Sequence, residues 1–185
     1  MSASVSSTLA GIDKWATSIQ VDGLDASRLA AKLDLSSASD LVQGIAESLI
    51  GTAGSIERKL LSKSLQEALF YCVGFDTEIG YPQFKTRFAK YLDREGVSSF
   101  ILRFLSLYFF NFVWFETGEC FRALAATSER FLRDMESVER ICNKVVASTW
   151  KSFEKTQRPL NSSTAGELVR KIEQHLRGVP GLERR

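Results

Sequence analysis

The chain has few of the residues from which common chemical sites are built. It holds one histidine, three cysteines and three prolines in 185 residues. Cys72, Cys120 and Cys142 are far apart and odd in number, which excludes a Cys-x-x-Cys pair and a complete disulfide framework. One histidine without paired Glu-x-x-His segments also excludes the common zinc and di-iron ligand sets. We therefore expect no metal and no cofactor.

An excess of one charge is also missing. Lysine and arginine number 24 against 22 aspartates and glutamates, so no strong field of one sign attracts nucleic acid or anionic lipid. The first residues lack the basic and apolar segments of a signal peptide. Together with the unpaired cysteines, these features predict a cytoplasmic protein.

Signals for β-strands are absent as well. No Asn-Gly or Asp-Gly turn joins two alternating runs, and the three prolines, at positions 82, 159 and 180, lie at plausible helix edges. We expect an all-α fold, a bundle of six to eight helices. The predicted organisation is a disordered start over 1–5, one helical domain over 6–178 and a short basic tail over 179–185.

Helical stripes and boundary residues indicate the individual helices. The first stripe consists of Leu9, Ile12, Trp15, Ala16 and Ile19. Asp25 is predicted to cap a short second helix, and Ser55, after Gly51, to cap a helix of about five turns. Pro82 is predicted to begin a helix that Gly96 closes.

An aromatic run follows at 100–115, "FILRFLSLYFFNFVWF", in which half of the residues are aromatic. Three interpretations compete: the central helix of a soluble bundle, a surface for a partner, and a membrane span. Arg103 near the centre of a span would cost roughly 2.5 to 3.5 kcal/mol, which makes the membrane the less favoured interpretation. Ser99, Arg103 and Ser106 form one narrow polar stripe, so we predict a nearly all-apolar central helix enclosed by others.

The most regular pattern begins after Gly118, where apolar residues are spaced alternately by three and four. It predicts one long heptad-patterned helix over 119–157, about 58 Å in length. Additional apolar residues widen the stripe, so either neighbouring helices of the chain or a partner must cover its second side. We predict that it is partly an assembly surface. The candidate interface consists of Phe131, Leu132, Met135, Val138, Ile141 and Val145.

Two groups of basic residues suggest a nucleic-acid surface as an alternative. The predicted phosphate or nucleic-acid contacts are Arg58, Lys59, Lys63, Lys85 and Lys90. In "YPQFKTRFAKYLDR" the basic residues are interleaved with aromatics, as in proteins that bind single strands. The same segment also fits one buried stripe of Phe84, Phe88 and Leu92 with a solvated basic back.

A third alternative comes from the only histidine. The spacing Arg170-x4-His175 resembles the Arg-x4-6-His motif of HEPN ribonucleases, which are also small all-α proteins. The resemblance implies that Arg170 binds phosphate and that His175 transfers a proton, across a dimer. The other interpretation is that both lie on a solvated helix face, because Leu168, Ile172 and Leu176 form the apolar stripe of this segment.

Taken together, the sequence favours a non-catalytic helical subunit of the cytosol that binds a protein partner or forms a homo-oligomer. A nucleic-acid-binding accessory subunit and a HEPN-like ribonuclease are the alternatives.

Near the C-terminus, Thr164 and Glu167 have capping-box spacing, and Gly178 with Pro180 is predicted to end the last helix.

Overall fold

The protein is built from α-helices. The computed structural model describes residues 2–22, 38–50, 53–74 and 81–179, and every regular element within these ranges is a helix. The helices are α1 (Ser2–Asp22), α2 (Ala38–Leu49), α3 (Ser55–Val73), α4 (Tyr81–Leu124), α5 (Ser128–Glu154) and α6 (Ser162–Arg177). The predicted all-α bundle is confirmed. The helix predicted after Asp25 and all but the first residue of the tail predicted over 179–185 lie outside the described residues.

Helix α1 carries the predicted stripe on its buried side, since Leu9, Ile12 and Trp15 all lie in the core. The predicted disordered start over 1–5 is wrong for residues 2–5, because the helix begins at Ser2. Val5 is fully buried and extends the stripe by one turn. The Ser4 hydroxyl also donates a hydrogen bond to Glu57 Oε2 of α3 at 3.0 Å, which ties this first turn to the bundle.

Gly96 divides α4 into two segments, 81–95 and 97–124. Its φ of 81° and ψ of 162° lie in a region that is essentially restricted to glycine. The predicted helix end at Gly96 is therefore confirmed. Phe88 before the break and Phe100 after it meet at 5.2 Å between ring centroids, and Trp15 of α1 stacks on Phe88 at 5.3 Å. Both segments thus share one aromatic core with α1.

The first part of the aromatic run is the centre of this core. Phe104, Tyr108 and Phe109 are fully buried. The polar residues within the run find partners on α3: the Asn111 amide donates to Ser64 Oγ at 3.0 Å and to Glu67 Oε2 at 3.2 Å. The Arg103 guanidinium lies 4.1 Å from the centroid of the Tyr71 ring. These contacts explain how Arg103 and Asn111 are accommodated in an otherwise apolar helix.

One helix within the described ranges, Pro82–Leu124, is long and apolar enough to cross a membrane by length and composition, with a mean hydropathy of 1.5 in its most apolar window. Half of that window is buried inside the protein. The central helix of a bundle meets the same criterion, because it is enclosed by apolar neighbours.

The predicted long helix over 119–157 is wrong, because the chain turns between Leu124 and Ser128. Thr127 has extended backbone angles, and its side chain accepts a hydrogen bond from the Arg130 N–H, which caps the start of α5. Helix α5 has 27 residues, or about 40 Å at 1.5 Å per residue. Apolar residues recur on both sides of the turn because α4 and α5 form a hairpin, in which each helix presents apolar residues to the other.

Two predicted helix caps also differ from the structure. Helix α3 is preceded by Gly54 at its N-cap, with no side-chain cap, and Ser55 is already helical. Helix α6 is capped by Asn161, which forms a capping box with Thr164 rather than the predicted one between Thr164 and Glu167. The carboxylate of Glu167 instead receives two hydrogen bonds from Arg158, at 2.7 and 3.2 Å. The predicted end at Gly178 is confirmed.

Candidate interaction surface

The end of α4 and the start of α5 form a hairpin that is held together by Trp114. Its ring stacks on Phe121 at 5.9 Å and meets Phe131 edge to face at 5.2 Å. Gly118 lies beneath this ring, and a Cβ at that position would approach Trp114 Cε2 to 3.2 Å. The absence of a side chain at Gly118 therefore allows the ring to lie against α4 while it contacts α5.

Large apolar side chains are exposed on this hairpin. Leu124 is 71% exposed and Leu132 is 49% exposed, although leucine is one of the residues most often buried in a core. Phe131 and Met135 are half-buried, and neither packs against the main hydrophobic core. We call Phe121, Leu124, Phe131, Leu132 and Met135 the hairpin surface. Exposed apolar groups of this size near one another are typical of surfaces that bind proteins.

The structure divides the predicted interface into two parts. Its first residues, Phe131, Leu132 and Met135, lie on the hairpin surface. Val138 is only 2% exposed and belongs to the core, and Ile141 and Val145 are half-buried against it. The physical reason is that α5 packs against both α4 and α6, which together cover its inner face. Val138, Ile141 and Val145 are therefore not part of the hairpin surface.

Charges of both signs surround the hairpin surface. Arg122 pairs with Glu119 at 3.0 Å, and its guanidinium lies 5.9 Å from the centroid of the Phe131 ring. The first turns of α5 expose Glu129, Arg130, Arg133 and Glu136. This mixture suits the polar rim of a protein interface better than a polyanion, which would be repelled by half of the charges.

The predicted nucleic-acid contacts lie at opposite ends of α3. Arg58 and Lys59 occupy its first turn and are exposed, and Lys63 pairs with Glu67 at 3.8 Å. Lys85 and Lys90 lie on the first segment of α4, which meets the other end of α3. Two contacts join this segment to the last turn of α3. Arg87 donates to the Val73 carbonyl at 3.0 Å, and the ring centroids of Tyr71 and Tyr91 are 6.5 Å apart.

The predicted ribonuclease pair is on one helix but faces two cavities. Arg170 Nε donates to the Gly166 carbonyl at 3.2 Å, and its side chain lines a cavity of about 420 Å³ between the starts of α1 and α6. His175 lines a separate cavity of about 430 Å³ between α5 and α6. Five helical positions correspond to a rotation of about 140°, so within one chain the two side chains point to different neighbours.

His175 is held by Thr149. Its Nδ1 lies 3.0 Å from Thr149 Oγ1, and the Thr149 hydroxyl donates to the Val145 carbonyl at 2.8 Å. A hydroxyl has one proton to donate, so when Thr149 donates to the Val145 carbonyl its oxygen can accept only from a protonated His175 Nδ1. The His175 ring is exposed to solvent.

The three cysteines have different surroundings. Burial raises the pKa of the Cys72 and Cys142 thiols to about 12, so both remain protonated near neutral pH and are poor nucleophiles. Cys120 is exposed on the hairpin, one helical turn before Leu124.

No group of three or more His, Cys, Asp or Glu side chains within the described residues could hold a metal ion. Comparison of the chain with protein-family models, with curated proteins and with solved structures finds no match.

Proposed function

We propose that the chain is a non-catalytic assembly subunit that binds a protein, either a second copy of itself or a different chain, through the hairpin surface. The observation that supports this proposal is the exposure of Leu124 and Leu132 beside Phe131 and Met135, all four outside the main core. Apolar area removed from water contributes about 25 cal/mol per Å². A partner that covers this surface would therefore gain a substantial part of its binding free energy from these residues.

The charges around the surface indicate what kind of partner fits. An amphipathic helix whose apolar face meets Leu124 and Leu132 would place its polar flanks near Glu129, Arg130 and Arg133. Such a partner needs charges of both signs, since a flank of one sign would meet like charges. A second copy of α5 offers such a mixture.

The test is the mass of the protein and of its complexes by size exclusion with light scattering. The variant Leu124→Glu/Leu132→Glu places two charges in the surface, and Ser98→Glu/Ala147→Glu places two charges at exposed positions outside it. We expect the wild type and the second variant to keep the same oligomer or partner, and the first variant to lose it. A strictly monomeric wild type with no partner in its native extract would refute the proposal.

We further propose that this subunit acts in the cytoplasm. The support is the exposed free thiol of Cys120 together with the buried thiols of Cys72 and Cys142, because unpaired cysteines persist in reducing compartments. Fractionation of the native source with an antibody against the chain tests the proposal, and recovery in the membrane fraction or the medium would contradict it.

The two alternative functions have less support from the geometry. The basic residues Arg58 and Lys59 are separated along α3 from Lys85 and Lys90, and Arg170 is turned away from His175. A steep decrease of binding with salt would support the nucleic-acid alternative, and cleavage of RNA that His175→Ala abolishes would support the ribonuclease.

A further inference from the structure

A row of hydroxyl groups on α5 lines the cavity between α5 and α6. This cavity has a volume of about 430 Å³, which falls in the usual range for small-ligand sites. Ser148, Ser152 and Thr156 lie on its wall at intervals of four residues, or about 6 Å along the helix axis. All three side chains are exposed, so a ligand from solvent can reach them. We call them the hydroxyl row.

The protons of the hydroxyl row are already used within the chain. Ser148 donates to the Val145 carbonyl at 3.0 Å, and Ser152 donates to the Ser148 carbonyl at the same distance. Thr156 donates to the Phe153 carbonyl at 2.7 Å. A hydroxyl has one proton and two acceptor lone pairs. The row therefore presents acceptors to the cavity, and a ligand that fits it must donate several hydrogen bonds.

Two pairs of side chains connect the walls of the cavity near its two ends. At one end Thr149 Oγ1 lies 3.0 Å from His175 Nδ1. At the other end Arg158 donates to both carboxylate oxygens of Glu167, at 2.7 and 3.2 Å. All four side chains line the cavity. These contacts hold α6 beside the hydroxyl row, so the space between the helices is formed by the fold itself.

The α6 wall adds a positive charge to the cavity. Glu167 is paired with Arg158, which leaves the ammonium of Lys171 as the net charge of these three groups. Lys171 is exposed, lines the cavity and lies one helical turn from both Glu167 and His175. An ammonium carries three donors and binds phosphate as a point charge. One wall thus favours an anion, while the other accepts hydrogen bonds.

We propose that this cavity binds a small phosphorylated polyol, such as a sugar phosphate. The polyol hydroxyls donate to the hydroxyl row, and the phosphate accepts from Lys171. The half-buried Phe153 side chain, which is part of the same wall, offers an apolar surface to the C–H groups of the polyol. Free phosphate matches the cavity less well, because its oxygens would meet the acceptors of the row. An amine also matches it less well, because Lys171 would repel it.

Isothermal titration of the full chain tests the proposal with a short and a long probe, glycerol-3-phosphate and glucose-6-phosphate. Glucose and inorganic phosphate are the controls, since each carries only one of the two features. We expect at least one phosphorylated probe to bind at least about tenfold more tightly than either control, because only the probes use both walls. Equal binding of inorganic phosphate or of glucose would overturn the proposal, and so would absence of binding by both probes.

Variants of Lys171 test the charge. Lys171→Met should weaken the phosphorylated probe by about tenfold or more, because it removes a charge-assisted hydrogen bond. Lys151→Met, which removes an exposed charge outside the cavity, should leave binding unchanged. Thermal unfolding shows whether both variants are folded. Equal loss of binding in the two variants would contradict the assignment of Lys171.

Variants of the hydroxyl row test the acceptors. Ser152→Ala should weaken the phosphorylated probe by about fivefold, since it removes one neutral hydrogen bond. Ser137→Ala is the matched control, because the Ser137 hydroxyl also donates within α5, to the Arg133 carbonyl at 2.8 Å, but lies outside the cavity. Unchanged binding in Ser152→Ala would show that the row does not contact the ligand and would overturn its part in the proposal.

A phosphorylated polyol can be free in solution or can be the headgroup of a lipid. Sedimentation with phosphatidylcholine vesicles, with and without phosphatidylinositol phosphate, distinguishes the two sources. Binding of the free probes without binding to the vesicles identifies a soluble ligand, whereas binding that requires the phosphorylated lipid identifies a headgroup. None of these variants alters the hairpin surface, so the result is independent of the assembly test.

Discussion

The aromatic segment of α4 consists of two parts that are alike in composition and different in surroundings. Residues 100–109 are packed between α1 and α3, and Phe104, Tyr108 and Phe109 have no exposed surface. Over 110–124 every aromatic side chain is half-buried or exposed, and Leu124 at the end is 71% exposed. The difference shows that aromatic content alone does not define a core; the number of helices that flank the segment does.

The second part is aromatic for a different reason. Trp114 stacks on Phe121 of its own helix and meets Phe131 of α5, which holds the start of α5 against the end of α4. Apolar residues in this position stabilise the hairpin and also remain available to another chain. We therefore expect the same substitution to cost much more stability in the first part than in the second.

The largest expected effect is that of a charge in the buried part. Phe104→Asp removes a fully buried ring and buries an unpaired carboxylate, which should cost about 5 kcal/mol or more and unfold most of the protein. Phe115→Asp, at a site 56% exposed, should cost about 1 kcal/mol or less. Urea unfolding of both variants measures the comparison, and equal losses would show that both parts are core.

A smaller effect is expected at the break that precedes the aromatic segment. Gly96→Ala forces a side chain into a backbone conformation at φ 81° and ψ 162°, at a cost of about 1 to 3 kcal/mol. No atom lies within 4 Å of the added Cβ, so the cost would come from the backbone alone. Thermal unfolding monitored by circular dichroism measures the loss, and Ser98→Ala is the nearby control. An unchanged melting temperature would mean that the break in α4 does not require glycine at position 96.

The hairpin itself depends on the cap of α5. Thr127→Ala removes the acceptor for the Arg130 N–H and should cost about 1 kcal/mol. Thr127→Ser, which keeps the hydroxyl, should restore most of that loss. Urea unfolding compares the two variants, and equal stability of both would show that the turn between α4 and α5 does not need the cap.

The smallest expected effect on stability is on the hairpin surface. Leu132→Glu alone should change the free energy of unfolding by no more than about 0.5 kcal/mol, because the side chain is 49% exposed. The same substitution should weaken assembly by an amount that light scattering detects. A severe loss of stability in the monomer would instead show that Leu132 belongs to the core.

Local patterns in the sequence predicted much of the fold. The stripes of α1 and α6 and the break at Gly96 depend on residues within a few turns of each other, so periodicity and glycine chemistry were sufficient to find them. The turn at Thr127 was missed, because apolar spacing continued from α4 into α5 and outweighed the cap signal of Thr127 followed by Ser128 and Glu129. The start at Ser2 was missed because it depends on contacts of Val5 and Ser4 with distant helices.

The site was less predictable than the fold. Phe131, Leu132 and Met135 could be named from the apolar stripe, but the burial of Val138 depended on how α5 packs against its neighbouring helices. Asn111 is far in the sequence from Ser64 and Glu67, and no local spacing indicates that α3 and α4 bring these side chains together. Such groups follow from packing between distant helices, which a periodic pattern does not encode.

The most direct test of the difference between the two parts is the alkylation rate of Cys120 in the native assembly, with Cys72 and Cys142 as buried references. Cys120 is exposed in the single chain and lies one turn from Leu124. We predict slow alkylation of all three thiols in the assembly and fast alkylation of Cys120 alone in Leu124→Glu/Leu132→Glu. Equally fast alkylation of Cys120 in the native assembly and in the variant would contradict the proposal that a partner covers the hairpin surface.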